Sequence, residues 1–328
     1  MEPENTPLAT WLTRFQIHLL RLSRQNKDRW AGKMFLGMTT LPLVLVIVMF
    51  VALLIRAWPI LQAKPFWDLL TGQTWRPLRG AFGLYPFIMG TLWVTAVAMA
   101  LAVPPCLLSA IYLAEYARPL TRTIVKPLLD LLAGIPSVVY GVWGVVAIVP
   151  WVKDFLAPAL GRWLGFIPFF AVDNPTGFGI LAGGIVLAVM VAPFVIAITY
   201  EVVRSVPDGL REASLAVGAT RWQTIKYAVL PQTLPGIIAG IVLGSSRALG
   251  ETMAVLMVVG NVARVPSSIF DPAYPLTALI ANNYGEMLSI PLYDSALLLA
   301  ALMLLGMEVV FNGISTLILH RFTGREIA

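Results

Sequence analysis

Charge is what this 328-residue chain has least of: Asp, Glu, Lys and Arg together make up 12% of it, where a soluble domain carries about a quarter. With 58% of its residues hydrophobic, the chain has too few polar groups to keep a surface wet, so the bilayer is its solvent. Cysteine is nearly absent. Cys106 stands alone, which excludes an internal disulfide, and with His18 and His320 as the only histidines a Cys/His zinc site is not expected. Two histidines at opposite ends of the chain also leave no nucleophile–His–acid constellation to assemble. No G-x-x-x-x-G-K-[ST] run occurs, so there is no P-loop with which to bind ATP. These absences point to a chain that is not an enzyme, carries no metal or cofactor of its own, and draws any energy it uses from elsewhere.

Long apolar runs are what it has instead. Six segments approach the roughly 20 residues that a bilayer requires, at about 35–55, 87–108, 128–150, 178–200, 233–260 and 295–319. Fifteen Lys and Arg fall in the N-terminal arm, the second-to-third and fourth-to-fifth connections and the C-terminus, against seven in the alternate connections, and Arg247 lies inside a span. The positive-inside rule then places both termini in the cytoplasm. The net charge of +6 is thus a topology signal, and no nucleic-acid partner is implied. The expected organisation is an arm over 1–33 followed by a membrane domain over 34–328. The first apolar run begins only after this 33-residue polar arm and is too long for an h-region, so no cleaved secretory signal is expected. Leu8, Trp11, Leu12, Phe15, Leu19 and Leu22 form a helical stripe in the arm, with Thr6 as N-cap and Pro7 at the first helical position. The stripe lies either on membrane lipids of the cytoplasmic leaflet or against the protein itself.

A polar element interrupts the apolar pattern over 205–231. Ser205 and Asp208 have capping-box spacing, and Thr220 and Gln223 repeat it. Gly218 lies just before the second cap, where a helix end needs a left-handed residue. The expected structure is helix, glycine turn, helix, leading through Leu230, Pro231 and Pro235 into the fifth span. An elbow of this kind can carry force from a soluble partner into membrane helices. Glu212-Ala213-Ser214-(x)3-Gly218, followed by Leu230-Pro231, resembles the EAA motif of ABC importer permeases, with Ser214 and Ala228 as departures from its E-A-A and I-x-L-P pattern. The resemblance implies that this loop docks on an ATPase subunit.

The fifth span carries the other unusual residues. Gly236, Gly240 and Gly244 recur every four positions, a small-residue stripe suited to close helix packing. Arg247 and Glu251 follow at i,i+4 spacing, sharing a helical face and able to pair. An Arg within a span costs on the order of 3 kcal/mol even on the lenient scale, and apolar replacements of buried pairs are often no less stable. The pair therefore reads either as part of a substrate path or as a structural or subunit-interface contact. Guanidinium binds tetrahedral oxyanions bidentately, and Glu251 can accept the proton of a protonated phosphate, which sulfate lacks. Pro104, Pro105, Pro136 and Pro193 interrupt the second, third and fourth spans by lining a path or by kinking a helix. Glu308 and Asn312 share a face of the sixth.

Three stretches, Arg247-Ala-Leu-Gly-Glu251-Thr-Met-Ala-Val with Gly260-Asn261, Ala110-Ile-Tyr-Leu-Ala-Glu115-Tyr, and Leu132-Ala-Gly134-Ile-Pro136-Ser137-Val-Val-Tyr140-Gly141, resemble the C-type permease subunits of high-affinity phosphate ABC transporters, with Asp130 where Glu is expected. The resemblance implies an all-α integral membrane protein with the type I ABC importer permease fold, six transmembrane helices and a cytoplasmic helix-turn-helix coupling loop. It implies import of inorganic phosphate by alternating access. Partners would be a second, PstA-like permease subunit, a PstB-like ATPase dimer that binds the ATP and Mg, and a PstS-like extracytoplasmic phosphate-binding protein. The substrate-path candidates are Arg247, Glu251, Ser137 and Tyr140. The ATPase-coupling candidates are Glu212, Ala213, Gly218, Leu230 and Pro231. Without the resemblance, the residues also allow a permease for sulfate, molybdate or another oxyanion, a scaffold or signalling subunit with no path, or a secondary transporter, although no inverted repeat or proton relay is visible.

Overall fold

Among the described residues of the computed structural model, six apolar runs become six helices long enough to cross a bilayer: Trp30–Ala63, Tyr85–Tyr116, Ser137–Leu164, Ile180–Arg204, Arg221–Gly250 and Tyr293–Leu317, here spans 1 to 6. The structure describes the backbone of residues 7–286 and 289–323, and the side chains of Asp28, residues 30–286 and 289–317, and Leu319. Two units divide the chain, Met1–Ile55 and Arg56–Ala328. The first is helical from Pro7 onward, within the helix Pro7–Ala63. Thr6 and the side chains of the Leu8–Leu22 stripe lie outside the described residues.

The second unit is built around span 4, two-thirds of whose apolar window (67%) is buried. Val186, Leu187, Val191 and Val195 are fully enclosed there. Span 2 approaches it where Gly184 has no side chain: a Cβ at Gly184 would meet Val97 Cγ1 at 2.6 Å. The glycine stripe of span 5 packs on the same helix, as its spacing predicts. A Cβ at Gly236 would meet Val202 at 2.6 Å, at Gly240 Ile198 at 2.9 Å, and at Gly244 Val195 at 2.8 Å. Gly240→Val is accordingly expected to push spans 4 and 5 apart and cost about 1–3 kcal/mol, read as a lowered unfolding midpoint of the purified protein.

Two spans break where a continuous helix was expected. The third was expected over 128–150, but a separate helix, Pro119–Ala133, ends before Pro136, and span 3 starts only at Ser137. Pro136 has no N–H to continue the helix and disfavours helical backbone at Ile135. Tyr140 closes the break by donating its hydroxyl to the Leu132 carbonyl at 2.9 Å. Pro104, Pro105 and Pro193, by contrast, sit inside continuous helices. The fifth span was expected to run to 260, but its helix stops at Gly250, Glu251 is extended (ψ 129°), and a short helix Met253–Val258 follows. Thr277 fixes this break by donating to the Glu251 carbonyl at 2.9 Å. Gly260 and Asn261 then both adopt left-handed backbone, a conformation that Asn tolerates better than other side chains, and Asn261 Nδ2 donates to the Leu256 carbonyl.

The connector after that turn is pinned by Asp271, whose side chain is 2% exposed. Its carboxylate accepts from the Ser267 N–H and hydroxyl, the Ser268 N–H and Arg264. Burial alone would raise its pKa, but the Ser267 and Ser268 donors and the Arg264 charge outweigh burial and hold the carboxyl below its ordinary range. A depressed folded pKa means that the unfolded chain binds the proton more readily. The stabilisation is therefore complete above the ordinary Asp range and is lost as pH falls through it towards the folded value. Asp271→Asn is expected to lower stability at neutral pH by about 2 kcal/mol and to flatten the acid limb of the unfolding midpoint against pH.

Candidate functional site

Packing of the span 5 glycines on span 4 carries Arg247 to Phe194. The guanidinium carbon sits 3.6 Å from the Phe194 ring centroid, a cation–π stack. The expected partnership with Glu251 is not formed, because the helix that would place the two side chains one turn apart ends at Gly250. Arg247 is half-buried and makes no ion pair with any described residue. Stacking occupies the face of the guanidinium and leaves its in-plane N–H donors available, the geometry that binds an oxyanion edge-on.

Around it the remaining candidates take different places. Glu251 sits between two helix ends, where its Oε1 accepts from the Ala254 N–H at 3.3 Å. Its other oxygen accepts no hydrogen bond from a described residue. Tyr140 has its only hydroxyl proton committed to Leu132, so it cannot donate to an anion while that bond stands. Ser137 opens span 3 just after the break, half-buried. From span 6, Asn312 accepts from Ser246 at 2.8 Å, and a Cβ at Gly250 would lie 3.5 Å from Glu308 Oε1. The Glu308–Asn312 face thus packs on the end of span 5. Phe194 was missed in the sequence, where one aromatic among many carried no distinguishing signal.

The second constellation is the polar elbow. Helix Asp208–Ala216 leads to Gly218, whose φ of 87° supplies the left-handed turn. The Thr220–Gln223 capping box forms in both directions. The capping box expected at Ser205 and Asp208 does not: Ser205 donates back to the Val202 carbonyl at 2.8 Å, because span 4 runs on to Arg204, and Pro207 occupies the cap position. Glu212 and Ala213 face outward and are exposed, while Ser214 is bonded to Thr224 at 3.0 Å and so ties the two arms of the elbow together. From Arg221 the second arm continues without a break into span 5. It passes one wide turn over Ile225–Val229, where the missing N–H of Pro231 loosens the helix. Leu230 and Pro231 mark that junction. The outward-facing arm is thus joined, by the Gly218 turn and the Ser214–Thr224 bond, to the helix that carries Arg247.

Residues 106–324 match the family described as "binding-protein-dependent transport system inner membrane component". The phosphate transport system permease protein PstC of Xylella fastidiosa is 39% identical over 255 residues, covering 77% of this chain and 78% of that protein. The protein of the same name from Haemophilus influenzae is 33% identical over 311 residues, 92% and 96% of the two chains. Among solved structures, a bacterial alginate ABC transporter in complex with its pentasaccharide-bound periplasmic protein has a chain that superposes with a TM-score of 0.60 at 19% identity, over 92% of this chain and 97% of that one. This last likeness is one of fold.

Proposed function

The chain belongs to the family of binding-protein-dependent transport inner membrane components, as a permease subunit of the phosphate ABC importer type, and on that premise we propose that Arg247 is its contact with the phosphate in transit. The observation that carries this reading is an arginine held inside a span by an aromatic ring, with no carboxylate among the described residues to neutralise it. Such a charge is costly in hydrocarbon, and an anion passing through relieves that cost. Glu251, four residues further along and just past the helix end, receives a hydrogen bond from a protonated phosphate oxygen, which sulfate cannot supply. Ser137 adds a hydroxyl at the mouth of span 3.

The working cycle is alternating access. A second permease subunit completes the path, an ATPase dimer binds ATP and Mg, and an extracytoplasmic phosphate-binding protein delivers the ion. The termini and the 205–231 elbow lie on the cytoplasmic side, in keeping with the distribution of Lys and Arg. Glu212 and Ala213 meet the ATPase, Gly218 lets the elbow fold back, and Leu230 and Pro231 pass its movement to span 5. The test is uptake of labelled phosphate by the reconstituted complex against a tenfold excess of competing anions. Arsenate, which is protonated like phosphate, is expected to compete, and sulfate is not. Equal competition by sulfate would remove Glu251 from the selection step.

A further inference from the structure

The elbow is held at a second place that the docking face does not use. Arg211 precedes Glu212 in the chain but points the other way, with its side chain 13% exposed. Its Nη2 lies 2.9 Å and its Nε 3.2 Å from Glu115 Oε1, a carboxylate that is itself 12% exposed. The remaining donors reach the Val203 carbonyl at 2.8 Å, the Val206 carbonyl at 2.5 Å and Asp208 at 3.1 Å. One guanidinium thus joins the end of span 2, the end of span 4 and the connector before the elbow. A second arginine secures the same end of span 2: Arg122 donates to the Leu113 and Ala114 carbonyls at 2.9 and 2.8 Å. Beneath the ion pair, Ala114, Val203, Val206, Val229 and Ile237 form an apolar cluster of their own, separate from the main core.

Stability alone is a poor account of this arrangement, since well-packed apolar residues usually hold a buried site at least as well as an ion pair. What a saturated, geometrically fixed arginine adds is registry: the three segments it joins cannot slide past one another without breaking several charge-assisted bonds at once. We infer that Arg211 and Glu115 are positioning residues that make the elbow and the ends of spans 2 and 4 move as one body, so that a push on Glu212 and Ala213 is transmitted to all of them and not absorbed locally. This rests on the reading of the elbow as the ATPase contact. Span 5 receives the same push through its continuous helix, so the clasp decides whether the spans that flank it follow.

The test uses the complete transporter in proteoliposomes and reads phosphate moved per ATP hydrolysed. In Glu115→Gln the ATPase is expected to remain bound, because Glu212 and the outward face are unchanged, while the ratio falls about fivefold or more, the size of an ordinary coupling between sites. Arg211→Lys keeps the charge and loses the fork, and carries the same expectation if Glu115→Gln does not assemble. An unchanged ratio in assembled complexes, even with a lowered melting midpoint, would show a purely structural contact and overturn the inference. Glu212→Lys run in parallel separates the two layers. If that variant keeps its ATPase, the docking reading itself fails. If it loses the ATPase while the clasp variants transport normally, only the clasp is wrong.

Discussion

Glu212→Lys is expected to detach the ATPase from the permease and to abolish ATP-dependent uptake, with little effect on the permease alone. The side chain is exposed and carries no bond to a described residue, so its replacement falls within the roughly 0.5 kcal/mol of an ordinary surface change. At a docked interface the same reversal sets like against like where opposite charges met, at a cost of several kcal/mol, or at least about a hundredfold in affinity. Copurification of the ATPase, together with the unfolding midpoint of the isolated permease, checks both halves. Gly218 gives the companion result by a different route. A Cβ there meets nothing within 4 Å, but φ is 87°, so Gly218→Val strains the backbone by about 1–2 kcal/mol, whereas Gly218→Asn is tolerated. A loop that bound through its surface alone would not distinguish the two.

Arg247→Gln is expected to lower the rate of phosphate uptake by about a hundredfold or more, the scale of two lost charge-assisted bonds at about 1.5–3 kcal/mol each. Arg247→Lys, which keeps the charge without the planar fork, recovers only part of it. Stability should move the other way. Arg247 pairs with no acid among the described residues, so removing it strands no buried carboxylate and relieves an intramembrane charge. The unfolding midpoint of Arg247→Gln is therefore expected to equal or exceed that of the native chain. A structural ion pair predicts the opposite sign. Initial uptake rates over a range of phosphate concentrations, with a melting curve on the same preparations, read both.

What the sequence made legible are the features encoded by local spacing. Six apolar runs, the glycine stripe of span 5, the left-handed Gly218 and the Thr220–Gln223 cap are all patterns of three, four or twenty residues, and each has the form that its spacing implies. The misreadings occur where a distant residue decides the local structure. Gly250-Glu251-Thr252 is a brief polar dip inside a largely apolar run from Leu243 to Val259, too short to separate a helix end from an intramembrane charge, and the break is held by Thr277 bonding Glu251 from twenty-six positions away. The Arg247–Glu251 pair failed with it, since i,i+4 proximity exists only inside a helix. Pro136 was visible as an interruption, but the start of span 3 was placed before it because the apolar face of Pro119–Ala133 reads like part of a span. The Arg211–Glu115 pair, 96 positions apart, and the Arg247–Phe194 stack have no signature in a single sequence.

The central claim, that Arg247 lies on the phosphate path and the ATPase drives it from outside this chain, meets its most direct test in one pair of measurements on one preparation. Proteoliposomes holding the complete complex, native or Arg247→Gln, are matched for ATP hydrolysis, and phosphate entry is counted per ATP consumed. The account predicts that hydrolysis continues in the variant while phosphate entry collapses. Phosphate entry at the native ratio would contradict it, returning Arg247 to a structural role against Phe194.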